Sequence, residues 1–236
     1  MKDILKSGFA AMNVAVTNEA LEKFVRYYEL LTEYNKKVNL TAITAPDEVA
    51  VKHFLDSASL FGIYEPQQSC RVIDVGTGAG FPGLPLKIVR GDIQLTLADS
   101  LAKRVDFLKL CVSELGLDGV ECIHARAEEL AKKDGYRESF DIAVSRAVAN
   151  MATLCEYCLP FVKVGGLFAA YKGPSAAEEL AGAKNAAETL GGGNTCIKLA
   201  QIAEHDLSHS IVFIDKMRPT PPKYPRGGNK ASSKPL

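Results

Sequence analysis

The chain has 236 residues, 47% apolar and 24% charged, with 28 basic and 28 acidic side chains in balance. That length suits one large α/β domain, or one domain with a sizeable N-terminal extension, and the apolar share is enough to bury a real core. Zero net charge gives no global attraction to polyanions, and no apolar run reaches membrane-spanning length, so a cytoplasmic protein without membrane helices is expected.

The first residues hold a short apolar stretch interrupted by Asp3 and Asn13. Ile4, Leu5, Phe9, Met12 and Val16 fall near helical spacing, which favours an amphipathic helix over a signal peptide. Leu21, Phe24, Val25, Tyr28 and Leu31 repeat the period after Thr17 and Asn18, both candidate N-caps. A further helix is expected from Pro46 to Leu60, after the polar, irregular "YNKKVNLTAI" of residues 34–43. In "HFLDS", His53 and Asp56 stand three apart on one helical face and could bond each other. Asn35 and Asn39 read either as base-edge contacts or as braces for their turn.

From Arg71 the pattern changes to short apolar runs alternating with helical stretches. "RVIDV" leads through a glycine-rich turn to "LPLKIV", and "IQLTLAD" leads to "SLAKRVDFLKLCVSELG". "VECIHA" precedes "RAEELAKK", "FDIAVSRAV" precedes "MATLCEYCL", and "GGLFAAYKG" precedes "SAAEELAGAKNAAETLGGG". "TCIKLAQI" and "HSIVFIDKM", separated only by "AEHDLS", suggest an antiparallel pair. The expected fold is therefore α/β: a mostly parallel Rossmann-like sheet closed by a C-terminal hairpin. Residues 1–66 would form an N-terminal helical extension and 67–236 the main domain with its basic tail. Residues 217–236 carry Arg218, Lys223, Arg226, Lys230 and Lys234 and no acid. Such a tail reads either as solvated and disordered or as an arm for phosphates.

Six cysteines lie scattered, two of them in "CEYC" at Cys155 and Cys158. No second ligand pair stands at metal-binding spacing, so buried free thiols are expected and no metal.

The stretch "VIDVGTGAGFPGLPL" (residues 72–86) carries the chemistry. A bare turn after the first strand lets backbone approach a ligand closely, ahead of a helix N-terminus. Gly78, Gly80 and Gly83 satisfy G-x-G-x-x-G, and Asp99 follows about 20 residues on, where a ribose-binding carboxylate belongs. A nicotinamide-dependent oxidoreductase is thus one reading. Three features favour S-adenosylmethionine. Asp74 ends the strand in D-x-G-x-G-x-G, and a carboxylate there suits a cationic ligand and opposes a diphosphate. Pro82 has no N–H to offer an anion. Asp99 can take both ribose hydroxyls, with Ser100 free to cap the next helix. Ala127 and Glu128, past the third strand, would lie at an adenine edge, and Arg146 ends the fourth strand on the same ligand-binding rim. For Arg146 the competing reading is an ion pair with a nearby acid.

The loop after the fourth strand holds Ser145, Arg146, Ala147 and Val148. It lacks the Asn- or Asp-Pro-Pro-aromatic element that goes with exocyclic-amine methylation, and it lacks the cysteine nucleophile of cytosine C5 methylation. A ring nitrogen with a free lone pair, such as guanine N7, needs no general base. Alignment alone can then supply roughly 7–11 kcal/mol.

"NLTAI" (39–43), "HFLDSASL" (53–60), the glycine stretch, "ADSLAKR" (98–104), "ARAEE" (125–129), "SRAVA" (145–149), "YKG" (171–173) and "YPR" (224–226) occur in this order. From about residue 20 onward the chain closely resembles the bacterial small-subunit rRNA guanine-N7 methyltransferases, also called glucose-inhibited division protein B. The resemblance implies a class I methyltransferase fold with an N-terminal helical part, and methylation of the guanine at nucleotide 527 in the usual rRNA numbering. It implies that Gly76, Phe81, Ala127, Glu128 and Arg146 contact S-adenosylmethionine. Asp74, Gly78, Gly80 and Asp99 join them from the loop argument. After "YPR" the chain has "GGNKASSKPL", which departs from the family pattern. Because a paired guanine hides its N7 in the narrow major groove of A-form RNA, the target should be an unpaired guanine of small-subunit rRNA within a ribosomal particle. Lys103, Arg104, Lys172, Lys223 and Arg226 are the expected phosphate contacts. A non-catalytic RNA-binding module on the same fold is the remaining alternative.

Overall fold

A computed structural model describes residues 1–146, 149–202 and 207–236. Ala147 and Val148 of "SRAVA", and residues 203–206 of the hairpin connection, lie outside the described residues. Helices α1 (Lys2–Ala11) and α2 (Asn18–Asn35) lead to a rod. In it, α3 (Pro46–Val49) continues through a widened π-type stretch, Ala50–Leu55, into α4 (Asp56–Ala58) and then α5 (Leu60–Ile63). Thr17 is the N-cap of α2, its hydroxyl accepting from the Ala20 amide at 3.1 Å. The single helix expected over Pro46–Leu60 is thus one continuous rod with a wide turn, which carries His53 and ends just before Asp56. Widened turns of this kind recur at functional sites.

The main domain alternates β1 (Arg71–Val75), α6 (Gly83–Val89), β2 (Gln94–Asp99), α7 (Ala102–Glu114), β3 (Val120–His124), α8 (Ala127–Leu130), β4 (Phe140–Arg146), α9 (Met151–Cys158) and β5 (Val162–Lys172). Helices α10 (Ala176–Gly182) and α11 (Lys184–Thr189) follow where one helix was expected. Then come β6 (Gly192–Ile202), β7 (Leu207–Lys216) and the short α12 (Lys230–Ser233). The sheet order is β3-β2-β1-β4-β5-β7-β6. The strands from β3 to β5 pair in parallel, and β7 runs antiparallel to both β5 and β6. Strand order reverses between β1 and β4, the point above which open α/β sheets bind ligands.

Side-chain alternation decides which residues meet there. Val72, Leu95, Leu97, Ile142, Val144, Leu167, Ala169, Ile211 and Phe213 point to the face covered by the N-terminal helices. Their neighbours Ile73, Ala143, Phe168, Ala170, Val212 and Ile214 point to the opposite face, under α9 and α11. By that parity Asp74, Asp99, Arg146, Tyr171 and His209 share the face of the N-terminal helices. Those helices therefore roof the strand ends. Phe24, Tyr27 and Phe54 stack in series, and Tyr27 reaches Phe81 with ring centroids 5.5 Å apart. Burying each such ring contributes about 1.5–3 kcal/mol. The Tyr27 hydroxyl donates to the Ala79 carbonyl, so α2 holds the glycine turn directly.

The C-terminal tail is packed, which corrects the solvated-tail reading. Thr220, Tyr224 and Ala231 are buried. Arg137 donates to the Thr220 and Tyr224 carbonyls at 2.8 and 2.9 Å.

Candidate functional site

The glycine turn is closed from within. The amides of Gly76 and Thr77 donate to the Ala98 carbonyl, and those of Gly80 and Phe81 to the Thr77 carbonyl. Gly78 donates to Asp99 Oδ2 at 2.9 Å, Gly83 to Asp74 Oδ2 at 2.8 Å and Leu84 to the Gly80 carbonyl at 2.8 Å. Pro82 has no amide hydrogen. A diphosphate needs several free N–H groups at this turn and helix start. Here all of those groups but the Ala79 amide are already bonded, and a buried carboxylate sits beneath the turn. The nicotinamide alternative fails on this geometry.

Asp74 is fully buried beneath the turn and lines none of the three cavities described below. Its Oδ2 also accepts from the Thr77 hydroxyl at 2.6 Å, while Oδ1 has no protein partner. Burial raises its pKa to about 7, against the opposing pull of Thr77, Gly83 and Arg146. Gly80 lines none of those three cavities either. With φ of 100° and no room beside Leu84 and the Tyr27 hydroxyl, it is required by packing. Gly78, at φ 62°, has open space where a Cβ would stand.

Three cavities run along the strand ends. The smallest, about 130 Å³, is lined by Gly76, Asp99, Ala127, Glu128, Arg126 and Tyr157 among others. Glu128 Oε1 is buried there without a hydrogen bond. Asp74 Oδ1 and Glu128 Oε1 are the unpartnered buried side-chain oxygens among the described residues, and both belong to this region. Two unused acceptors, one beneath a turn whose amides are nearly all bonded and one on α8, fit a ligand that brings N–H groups and positive charge. The second cavity, about 350 Å³, shares Gly76, Asp99 and Ser100 with the first and adds Gly78, Phe81, Thr41, Arg104 and Arg146. The third, about 460 Å³, shares His53 and Arg146 with the second and extends to Ile43, Lys52, Asp56, Tyr171 and His209.

Arg146 divides the second cavity from the third. It pairs with Asp56 at 2.7 Å, as the competing reading had it, yet it also lines both cavities and lies over the Phe81 ring at 4.9 Å. His53 and Asp56 do not bond each other: Asp56 takes Arg146 on one oxygen and His209 Nδ1 on the other, at 2.6 Å. His53 stacks on Phe81 at 4.5 Å. Its Nδ1 faces the Lys52 carbonyl at 3.2 Å and the Arg146 guanidinium at 3.3 Å, and its Nε2 lies 2.8 Å from Thr41 Oγ1. Burial and Arg146 lower the His53 pKa to about 4. His53 is therefore a neutral positioning group and not a base at neutral pH. The Asp56 contact raises the His209 pKa.

Asp99 Oδ1 accepts from the Leu101 amide at 2.9 Å. This contact, and not Ser100, closes the start of α7, a correction to the capping expectation. Arg104 reaches Asp99 at 3.4 Å. Asn35 is a brace: its Oδ1 accepts from the Leu40 and Thr41 amides. Of the cations expected at phosphate, Lys103 and Lys223 are exposed. Lys172 is not free, because Glu179 and the Ala149 carbonyl hold its ammonium, each at 2.7 Å. Arg226 turns inward to Glu156 at 2.6 Å. Cys155 and Cys158 are buried thiols, and no group of three or more His, Cys, Asp or Glu among the described residues could hold a metal ion. No helix among them is long and apolar enough to cross a membrane.

The family model for rRNA small subunit methyltransferase G (GidB) matches residues 20–208. The chain belongs to that family. Proteins named ribosomal RNA small subunit methyltransferase G are similar to it over nearly their whole length. The one from Clostridium perfringens strain 13 is 48% identical over 99% of this chain and 98% of its own. The one from Alkaliphilus oremlandii is 46% identical over 100% and 99%. Among solved structures, a predicted O-methyltransferase from Agrobacterium tumefaciens covers 71% of this chain and 84% of its own with a TM-score of 0.55 at 18% identity. An S-adenosylmethionine-dependent O-methyltransferase from Thermotoga maritima covers 81% and 73% with a TM-score of 0.54 at 15% identity. The chain thus has the class I methyltransferase fold that the sequence suggested.

Two residues that line these cavities, Thr41 and His209, carry no distinct signal in the sequence. Thr41 sits inside "NLTAI" among other polar residues. His209 became legible only through strand parity, since it stands two residues before inward-facing Ile211.

Proposed function

We propose that the chain transfers a methyl group from S-adenosylmethionine to N7 of an unpaired guanine in small-subunit rRNA, in a cytoplasmic ribosomal particle. The internally bonded glycine turn over a buried carboxylate carries this reading: it suits a cationic donor and rejects a diphosphate. The bound donor supplies an electrophilic methyl group on sulfur.

The residues then divide the work. Glu128 and Ala127 hold the adenine end and Asp99 the ribose hydroxyls. Asp74 sets a negative potential beneath the turn for the amino-acid end. Phe81, stacked between Tyr27 and His53, forms a rigid wall beside the transfer point. The third cavity takes the guanine base, with Arg146 and His53 as the shared partition. Guanine N7 attacks with its own lone pair, so no group must remove a proton, and a neutral His53 is consistent with that chemistry. The enzyme's contribution is alignment and exclusion of water, on the order of 7–11 kcal/mol. Lys103 and Lys223 are the phosphate contacts that survive from the expected set, and residues 1–66 serve as the helical extension that covers the site.

Mapping methylated nucleotides in rRNA from cells with and without the gene tests the whole reading, alongside titration with S-adenosylmethionine and NAD. Loss of one N7-methylguanine on deletion is expected. An unchanged modification map, or binding of NAD alone, would refute it.

A further inference from the structure

The Tyr224-Pro225-Arg226 segment carries its cation inward. Arg226 donates to Glu156 from its backbone amide at 2.7 Å, from Nε at 2.9 Å and from Nη2 at 2.6 Å. Glu156 is 0% exposed. It adjoins Tyr157, which lines the smallest cavity from α9. Three residues past Arg226, Asn229 Oδ1 accepts from Arg126 Nη1 at 3.1 Å, and Arg126 lines that same cavity from the β3–α8 connection. The Ala231 carbonyl then accepts from Thr153 of α9 at 3.0 Å. Within residues 226–231 the chain therefore grips α9 twice and the other wall once.

We propose that residues 224–231 form a strap that sets the adenosine end of the donor pocket, with Asn229 as a positioning residue that keeps Arg126 from closing to hydrogen-bond distance on Glu128. The inference rests on reading that cavity as the donor site. Arg126 Nη1 lies 3.6 Å from Glu128 Oε1, the buried acceptor with no hydrogen bond. A guanidinium released by Asn229 closes that gap and takes the acceptor that an adenine amine or ribose hydroxyl would use. The strap thus keeps an ion pair that already stands at 3.6 Å from closing into a hydrogen bond.

The full-length protein and its Asn229→Ala, Asn229→Asp and Asn229→Ala/Arg126→Gln variants are to be titrated calorimetrically with S-adenosylmethionine, S-adenosylhomocysteine and adenosine. Asn229 is exposed, so these substitutions leave the core intact. Asn229→Ala should weaken all three ligands about threefold to tenfold, the worth of one hydrogen bond. It should raise the donor KM by the same factor while kcat and the rRNA KM stay put. Asn229→Asp, which keeps an acceptor for Arg126, should restore affinity. Removing the guanidinium in the double variant should also restore it, which a purely structural role would not do. Unchanged donor affinity in Asn229→Ala, or no recovery in either companion, overturns the proposal. So does a loss of rRNA affinity with donor affinity intact, which would make the tail an RNA arm. A wild-type protein that binds none of the three ligands would instead overturn the donor-site reading.

Discussion

Asp56 sits between Arg146 and His209, 2.7 Å from the guanidinium and 2.6 Å from the imidazole. The three residues come from the N-terminal rod, β4 and β7, so one buried carboxylate ties the roof to both halves of the sheet. Arg146→Gln leaves that carboxylate without its main partner, and a loss of about 3–5 kcal/mol in urea unfolding is expected. Adding Asp56→Asn should recover much of the stability without recovering methyl transfer. Equal stability of the single and double variants would show that the pair is solvated and contributes little.

Asp99 holds the amides of Gly78 and Leu101. Asp99→Ala should weaken S-adenosylmethionine binding roughly tenfold to a hundredfold, the range for hydrogen bonds to a charged group, while the protein stays folded. Calorimetric titration reads this directly, and an unaltered dissociation constant would remove Asp99 from the ribose.

Asp74, with a pKa of about 7 against an ordinary 3.8, makes donor affinity depend on pH. A cationic ligand favours the ionised carboxylate, so affinity should rise as pH increases from 6 to 7.5, and Asp74→Asn should flatten the rise. Stability runs the other way. A raised carboxyl pKa means that the folded state binds more protons than the unfolded one between pH 3.8 and about 7, so this group's stabilisation is complete below 3.8 and lost as pH climbs through 7. His53, lowered from 6.5 to about 4, adds stability above pH 6.5 that is lost as pH falls to 4. Melting curves of Asp74→Asn should therefore keep the acid-side loss and lack the neutral-side one.

Lys103 is exposed at the start of α7, one residue before Arg104, which lines the 350 Å³ cavity. Lys103→Ala should weaken rRNA binding across salt concentrations and lower the salt slope by about one charge, with donor affinity unchanged. Filter binding at several salt concentrations measures it. A slope equal to that of the wild type would strike Lys103 from the phosphate contacts.

Much of the frame was readable before the fold was known, because strand-helix alternation and the glycine turn are local signals. The ion pairing was not. Lys172 and Arg226 look alike in sequence to Lys103 and Lys223, yet Glu179 and Glu156 neutralise the first two. Those acids are 7 and 70 residues away, and only the packing of the helices on the sheet brings the second within reach. Asp74 was found as a carboxylate under the turn. Its burial, and hence its raised pKa, depends on Gly83 closing over it, where a Cβ would lie 2.9 Å from Oδ2. The paired role of Asp56 was hidden because its partner His209 stands 153 positions later.

Because His53 and Arg146 form a common partition between neighbouring chambers of about 350 and 460 Å³, one molecule can occupy both at once. A ligand that fills the smaller of these chambers and is tethered by a few atoms to a second group would span the divide, gaining from each half the advantage of a short leash over free diffusion. Inhibitors built that way would draw their selectivity from the larger chamber, whose walls come partly from the N-terminal rod and not from the glycine turn.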